Sequence, residues 1–201
     1  PGAKCYMVFN AFGDWGNTTT AFAGSEAGTE LFDRKVANWI RFWAQHLRDL
    51  KLSPKQLGLL LFDEPHSEEQ FRVLAAFAKA INRAEPDVIL WVDPQPGDSA
   101  TCLEALAAMD VLVPFRKQWL RADEWFGKLF LDQQTQGREL GFYSCDGPAR
   151  RFDPFSYYLL QEWHCFAIGG RWAQFWSFGD TSGADVWNEY ATDGPGPFAP
   201  L

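Results

Sequence analysis

Positive charge is scarce and scattered in this chain. Eighteen Lys and Arg stand against 26 Asp and Glu in 201 residues, for a formal net charge of −8. Dispersed cations on an acidic chain disfavour nucleic acid and anionic membrane surfaces as partners. Long apolar runs are also missing, and the polar residues inside each shorter one exclude a spanning helix, so no membrane insertion is expected. The four cysteines, Cys5, Cys102, Cys145 and Cys165, lack metal-ligand spacing, and no cluster of His, Cys and Asp supplies it. Cys5 and Cys145 fall in different predicted strands and Cys165 in a predicted helix, so they read mostly as small buried hydrophobes. A glycine-rich phosphate loop is absent after the first strand: Asn10-Ala11-Phe12-Gly13-Asp14-Trp15-Gly16 is not a dinucleotide fingerprint, which disfavours a Rossmann fold. No metal and no cofactor is expected. The chain opens Pro1-Gly2 with neither an initial Met nor a signal peptide, and is expected to have been processed or cut from something longer.

What the chain has in excess is aromatic: 10 Trp, 18 Phe and 5 Tyr. Trp is costly to bury without a partner for its N–H, so an excess often marks flat binding surfaces, and sugar rings with apolar C–H faces are common occupants. A large aromatic core accounts for the same composition. The hydrophobic and charged shares, 47% and 22%, are those of an ordinary globular protein, and the length suffices for one sizeable domain.

Strand-like and helix-like runs alternate throughout. Strands are predicted at Cys5–Asn10, Leu59–Phe62, Val88–Val92, Val111–Phe115, Leu140–Ser144 and Ala173–Phe178. A loop from Ala11 to about Gly28 follows the first. Helical spacing then joins Phe32, Val36, Trp39, Ile40, Trp43, Leu47 and Leu50. Ser67-Glu68-Glu69-Gln70 is a capping-box pattern opening a helix with Phe71, Leu74, Phe77, Ala78 and Ile81 on one face. Further helices are predicted over Ser99–Ala108, around inward-facing Trp125, Phe126, Leu129 and Phe130 with a stop near Gly137, and over Phe155–Ile168. The tail from Asp180 to Leu201 is rich in Gly and Pro and reads as irregular.

Successive βα units imply a parallel α/β sheet. A doubly wound sheet and part of a (β/α)8 barrel both fit. Polar or aromatic residues close nearly every strand: Asn10, Asp63-Glu64, Asp93, Arg116, Tyr143 and Asp180. This is how a barrel mouth reads, and it favours a TIM barrel. A closed barrel needs eight strands and the chain supplies about six. A single, partial barrel domain over 1–201 is therefore expected, its first two strands lying upstream in the same polypeptide. Two open sheet edges would make the piece alone prone to association, or inactive.

The most informative stretch is Leu57-Gly58-Leu59-Leu60-Leu61-Phe62-Asp63-Glu64-Pro65-His66, a strand buried on both faces that runs into two adjacent acids. The carboxyl end of such a strand is where α/β folds keep their chemistry. A glycosidase with a protein nucleophile, or one that inverts, sets its two carboxylates roughly 5–9.5 Å apart across the bond. Neighbouring residues cannot easily straddle a sugar that way. They suit a different division: one carboxyl protonates the leaving oxygen while the other holds a 2-acetamido group that acts as the nucleophile. Like charge and nearby aromatic rings would raise the pKa of one of them, as a general acid requires. Spacing alone leaves open a plainer alternative, a solvated turn ahead of a helix.

Phe62-Asp63-Glu64-Pro65 after an apolar strand resembles the catalytic signature of glycoside hydrolase family 123, the β-N-acetylgalactosaminidases. Trp91-Val92-Asp93, Val111-Leu112-Val113-Pro114, Gly141-Phe142-Tyr143-Ser144-Cys145, Trp176-Ser177-Phe178-Gly179-Asp180, Trp187-Asn188 and Ala191-Thr192-Asp193-Gly194 are similar to segments of that catalytic domain. The resemblance spans about Cys5 to Gly194. It implies that the chain holds barrel strands three to eight, with the acid pair ending the fourth, and that two strands and any N-terminal β-sandwich lie upstream. It implies a retaining hydrolase of β-linked N-acetylgalactosamine or a related 2-acetamido sugar, acting through an oxazolinium intermediate. Asp63 would orient and stabilise the acetamido group and Glu64 would be the general acid/base. The expected partner is a glycan or glycoconjugate, and the expected compartment is secreted or periplasmic.

Further substrate contacts are assigned to Trp91, Trp119, Tyr143 and Trp176 as stacking surfaces, and to Asp93 and Asn10 as polar ligands; strand aromatics pack inward as often. Asp14 and Trp15 lie in the long first loop, which could wall the site. His66 reads as a surface histidine, and His46 and His164 carry no assigned role. Two other functions fit the same residues. One is a non-catalytic carbohydrate-binding barrel. The other is a retaining glycosidase with Glu64 as acid and Asp180 as nucleophile.

Overall fold

The computed structural model of the chain describes residues 6–9, 12–14, 16–145 and 155–175. These fall into two compact units, one within Pro1–Leu112 and Lys128–Arg138, the other within Val113–Gly127 and Glu139–Leu201.

In the first unit, β1 (Tyr6–Phe9) is followed by two small hairpins, β2 (Gly13–Asp14) with β3 (Asn17–Thr18) and β4 (Ala21–Phe22) with β5 (Ser25–Glu26). They occupy the predicted loop, their two-residue strands being too short to show alternation. Helix α1 (Glu30–Asp49) starts where the Thr29 hydroxyl accepts the Phe32 N–H at 3.2 Å, satisfying one of the free donors of the first turn. Strand β6 (Leu57–Leu60) precedes α2 (Glu68–Ala84), whose capping box is complete: Ser67 Oγ accepts the Gln70 N–H, and the Gln70 side chain accepts the Ser67 N–H. Strand β7 (Ile89–Val92), helix α3 (Ala100–Ala107) and strand β8 (Val111–Leu112) complete the series. The four longer-range strands pair in parallel in the order β1-β6-β7-β8, with Phe9 beside Leu60, Leu60 beside Trp91 and Trp91 beside Val111. Parallel α/β structure is thus present, as the alternation predicts.

The unit's core is made by Leu59 to Phe62, Leu90 and Val92 from the strands and by one face of each helix. On α1 the buried face is Phe32, Val36, Ile40 and Ala44, a run of four-residue steps. Trp43 and Leu50, which the spacing also placed inward, are exposed; the Trp43 ring packs edge-on to Phe42 and His46 on the surface. On α2, Phe71, Leu74, Phe77, Ala78 and Ile81 are all buried, as predicted. Full burial of each large apolar side chain is worth about 1.5–3 kcal/mol. The Phe12 ring stacks on Phe77 with centroids 4.3 Å apart and planes 3° from parallel, which fastens the start of the first hairpin to α2. Arg48 bonds both oxygens of the buried Glu85, at 3.2 and 2.6 Å, joining the ends of α1 and α2.

The predicted fourth strand is shorter than expected. Pro114 has no N–H to give a ladder, so β8 stops at Leu112. In the second unit, Phe115 makes a single parallel bridge to Tyr143, and Pro114 O accepts the Tyr143 N–H at 3.2 Å. Helix α4 (Arg116–Arg121) buries no residue and follows directly; it was not anticipated. Helix α5 (Glu124–Thr135) contributes residues to both units and ends before Gly137 (φ +97°), as predicted. Phe126 and Phe130 are buried on it, but Trp125, expected inward, is exposed. Strand β9 (Glu139–Ser144), a π-helical turn (Phe155–Leu159), helix α6 (Leu160–Ala167) and strand β10 (Trp172–Phe175) form the last βα unit, with β9 and β10 parallel. Gln161, fully buried on α6, donates to Phe142 O at 3.3 Å and Gln174 O at 2.9 Å and accepts the Ser144 hydroxyl, stitching the helix to both strands. Among the described cysteines, Cys102 and Cys165 are buried free thiols and Cys145 is partly exposed. Burial pushes the Cys102 thiol up to about 12, so it is inert at neutral pH. Among the described residues no helix is long and apolar enough to cross a membrane.

Candidate active site

The acid pair lies in the first unit, where the chain leaves β6. Backbone bonds hold the exit on one side: the Phe12 N–H donates to Leu61 O at 2.7 Å and the Asp63 N–H to Gly13 O at 3.0 Å. The Phe62 ring lies against Gly13, where a Cβ would come within 2.2 Å of two ring carbons, so only glycine permits that approach. On the other side the end of β7 takes over. Asp93 Oδ1 accepts the Glu64 N–H at 3.0 Å, and the Gln95 N–H donates to Pro65 O at 2.9 Å. Glu64 itself has φ +48°, in the left-handed region that costs a residue with a Cβ about 1–2 kcal/mol. Strain of this kind persists where surrounding contacts over-determine it, and it clusters at functional sites.

Below the pair, the capping side chain of α2 links the parts. Gln70 Oε1 accepts the His66 N–H at 2.8 Å as well as that of Ser67, and Gln70 Nε2 donates to Asp14 O at 3.3 Å. His66 Nδ1 lies 3.2 Å from Glu64 O, which a protonated Nδ1 satisfies as donor. The Asp14 carboxylate accepts from Gly16 N at 2.9 Å and Asn17 Nδ2 at 3.1 Å, closing the first hairpin beside the site.

The electrostatics centre on Asp63 and Asp93, whose carboxyls are hydrogen-bonded to each other. Burial, first, and then the negative charge of Asp63 push Asp93 well above the usual carboxyl range, against the stabilising Glu64 N–H. Burial also raises Asp63; the bond from Asp93 works the other way, and the charges of Glu64 and Asp14 add to the rise. Two such neighbouring carboxyls favour the protonated form. Of the two, the more deeply buried Asp93 is pushed up further. Asp63 follows β6 and Asp93 follows the neighbouring β7, and no sequence spacing signals their pairing.

The other predicted site residues are placed as follows. Trp91 is 6% exposed on β7, and its indole N–H has no hydrogen-bond partner among the described residues. Trp119, on α4 of the second unit, packs edge-on to Phe142 with centroids 5.1 Å apart and to His164 at 6.2 Å. Tyr143, buried on β9, stacks on Phe115 at 5.0 Å. Asn10 and Trp176, with Trp15, Phe178 and Asp180, lie outside the described residues. Gly13 and Gln70, which shape and brace the site, were not anticipated in those roles; their signals, a loop glycine and a capping residue, point to local structure only. Among the described residues no group of three or more His, Cys, Asp or Glu is arranged to hold a metal ion. A groove of about 390 Å³ on α1 and α2, lined by Arg34, Asn38, Arg41 and the Asp33–Arg83 ion pair, contains none of the acids at the strand ends.

No protein-family model matches the chain, and no curated protein matches it. Among solved structures it is similar to the catalytic domain of the major endoglucanase from Xanthomonas campestris pv. campestris, at 13% sequence identity and a TM-score of 0.46, over 90% of this chain and 65% of that one. The chain thus spans less than two thirds of that catalytic domain. So loose a likeness bears on neither fold nor chemistry, and the functional reading rests on this chain's own residues.

Proposed function

We propose that Asp63 and Glu64 are the catalytic pair of a retaining glycosidase that cleaves β-linked N-acetylgalactosamine, or a related 2-acetamido sugar, with the substrate's own acetamido group as nucleophile. The observation that carries this is the placement of the pair: adjacent acids at the exit of a parallel strand, with the Asp63 N–H on Gly13 O and the Glu64 N–H on Asp93 Oδ1, each at 3.0 Å. A carboxylate so placed accepts the acetamido N–H and stabilises positive charge building on the oxazolinium ring. Glu64 protonates the glycosidic oxygen as the acetamido carbonyl oxygen attacks C1 and the C1–O bond breaks. Glu64, now a carboxylate, takes a proton from the water that opens the oxazolinium at C1, and two inversions give net retention.

The same proposal includes the closed (β/α)8 architecture, with this chain as strands three to eight and the remainder of the polypeptide as its partner. It includes a glycan or glycoconjugate as substrate and a secreted or periplasmic site of action. Graded fluorination of the N-acyl group tests the mechanism. On the full-length protein, kcat/KM for aryl 2-acetamido, 2-fluoroacetamido and 2-trifluoroacetamido glycosides should fall steeply as fluorine weakens the carbonyl nucleophile. A flat series, or a sugar trapped covalently on a protein carboxylate, would overturn it in favour of a protein nucleophile. Sugar binding without turnover would favour a carbohydrate-binding module.

A further inference from the structure

We infer that Asp93 is a positioning residue for the acid pair: one oxygen of its carboxyl fixes the backbone of Glu64 while the carboxyl also hydrogen-bonds the Asp63 side chain. The inference rests on the reading of Asp63 and Glu64 as the catalytic pair, and it replaces a sugar hydroxyl with protein atoms as the partner of Asp93. Asp93 is 7% exposed, which leaves little of it for a ligand. Its Oδ1 lies 3.0 Å from the Glu64 N–H, the first atom of the residue whose φ is +48°. With the Gln95 N–H on Pro65 O, this is the tie between the end of β7 and the turn that presents both acids. The Asp93 contact helps to hold Glu64 left-handed, and its loss would let the Glu64 carboxyl swing with the backbone.

The second contact sets the charge of Asp63. A protonated Asp93 donates to Asp63, so one oxygen of the Asp63 carboxylate is occupied and the other is left to meet an acetamido N–H. The charged groups that act on this pair are Glu64, from the same turn, and Asp14, from β2, both acids, which favour keeping the shared proton. Asn at position 93 reproduces both contacts, since its Oδ1 accepts from Glu64 and its Nδ2 donates to Asp63. Ala reproduces neither.

The experiment is a pH profile of kcat/KM for an aryl 2-acetamido glycoside with the full-length protein, Asp93→Asn and Asp93→Ala, each checked for folding by thermal unfolding. Asp93→Asn should stay within about tenfold of wild type, with its acid limb close to the wild-type position. Asp93→Ala should lose about a hundredfold or more, and its acid limb should move to higher pH, because Asp63 loses the hydrogen bond that stabilises its charge. A role confined to folding would lower both variants without moving the limb, and that result would overturn the inference, as would a wild-type profile for Asp93→Ala. If Asp93→Ala does not fold, carbon-13 carboxyl titration decides: Asp63 and Asp93 should titrate as a coupled pair in wild type, and Asp63 in one simple step in Asp93→Asn. Independent titration of the two in wild type would refute the contact itself. A wild type inactive on every 2-acetamido glycoside but coupled in this titration would sink the glycosidase reading while supporting the Asp63–Asp93 contact.

Discussion

Gly13→Ala exposes the packing that aims the acid pair. The backbone at Gly13 is not in the left-handed region, so alanine meets no conformational obstacle there. On backbone grounds alone the change should stabilise the protein by about 0.4–1 kcal/mol, through the entropy of the unfolded chain. The site reverses that sign. A Cβ at position 13 would lie 2.2 Å from two carbons of the Phe62 ring, against a comfortable separation of about 3.5–4.0 Å. Phe62 is 1% exposed and cannot swing into solvent, so the ring and its neighbours must shift together. Overpacking of this kind costs about 1–3 kcal/mol, or roughly 2–12 °C in thermal midpoint for a protein of this size. Thermal and urea unfolding of the full-length protein give the number, and pairing the change with Phe62→Leu gives the cause, because the smaller residue should recover part of the loss. A neutral or stabilising Gly13→Ala would show that the Phe62 ring does not sit over the glycine, and the described exit of β6 would then be wrong.

Two further outcomes follow from buried polar groups. Gln161→Leu should cost about 1–3 kcal/mol for each group left without a partner among the Ser144 hydroxyl and the carbonyls of Phe142 and Gln174, read as a lower urea midpoint at unchanged slope; a loss within about 0.5 kcal/mol would contradict the network. The carboxyls of Asp93 and Asp63 are raised in the folded state, so the native chain binds more protons than the unfolded one above the unfolded carboxyl pKa of about 3.9. Their contribution is complete below that pH and is lost as pH rises through the folded values. Asp93→Asn should therefore gain on wild type with rising pH in that window, by at most about 1.4 kcal/mol per unit, and a difference constant in pH would refute the assigned protonation.

Much of the fold was legible because its signals are local. Leu59 to Phe62 is an apolar run long enough to mark a strand buried on both faces, and Ser67 with Gln70 marks a helix start whatever surrounds it. Where the structure departs from the expected pattern, the cause is packing or backbone chemistry rather than apolar spacing. Trp43 and Trp125 keep helical register with buried neighbours, but four-residue steps from Phe32 to Ala44 already cover the core, leaving Trp43 outside. Pro114 shortened β8 through a missing N–H that an apolar count does not register. At the site, adjacency marks Asp63 and Glu64, whereas the Asp93 carboxyl that accepts the Glu64 N–H stands 29 positions on and comes near only because β6 and β7 pair in register.

The most direct test of the central claim is turnover of an alkyl β-N-acetylgalactosaminide, whose leaving oxygen needs a proton, by the full-length protein and by Glu64→Gln. The account predicts a loss of about 10²–10⁴ in kcat/KM for the variant with its thermal midpoint retained. Equal turnover by the two proteins would contradict it.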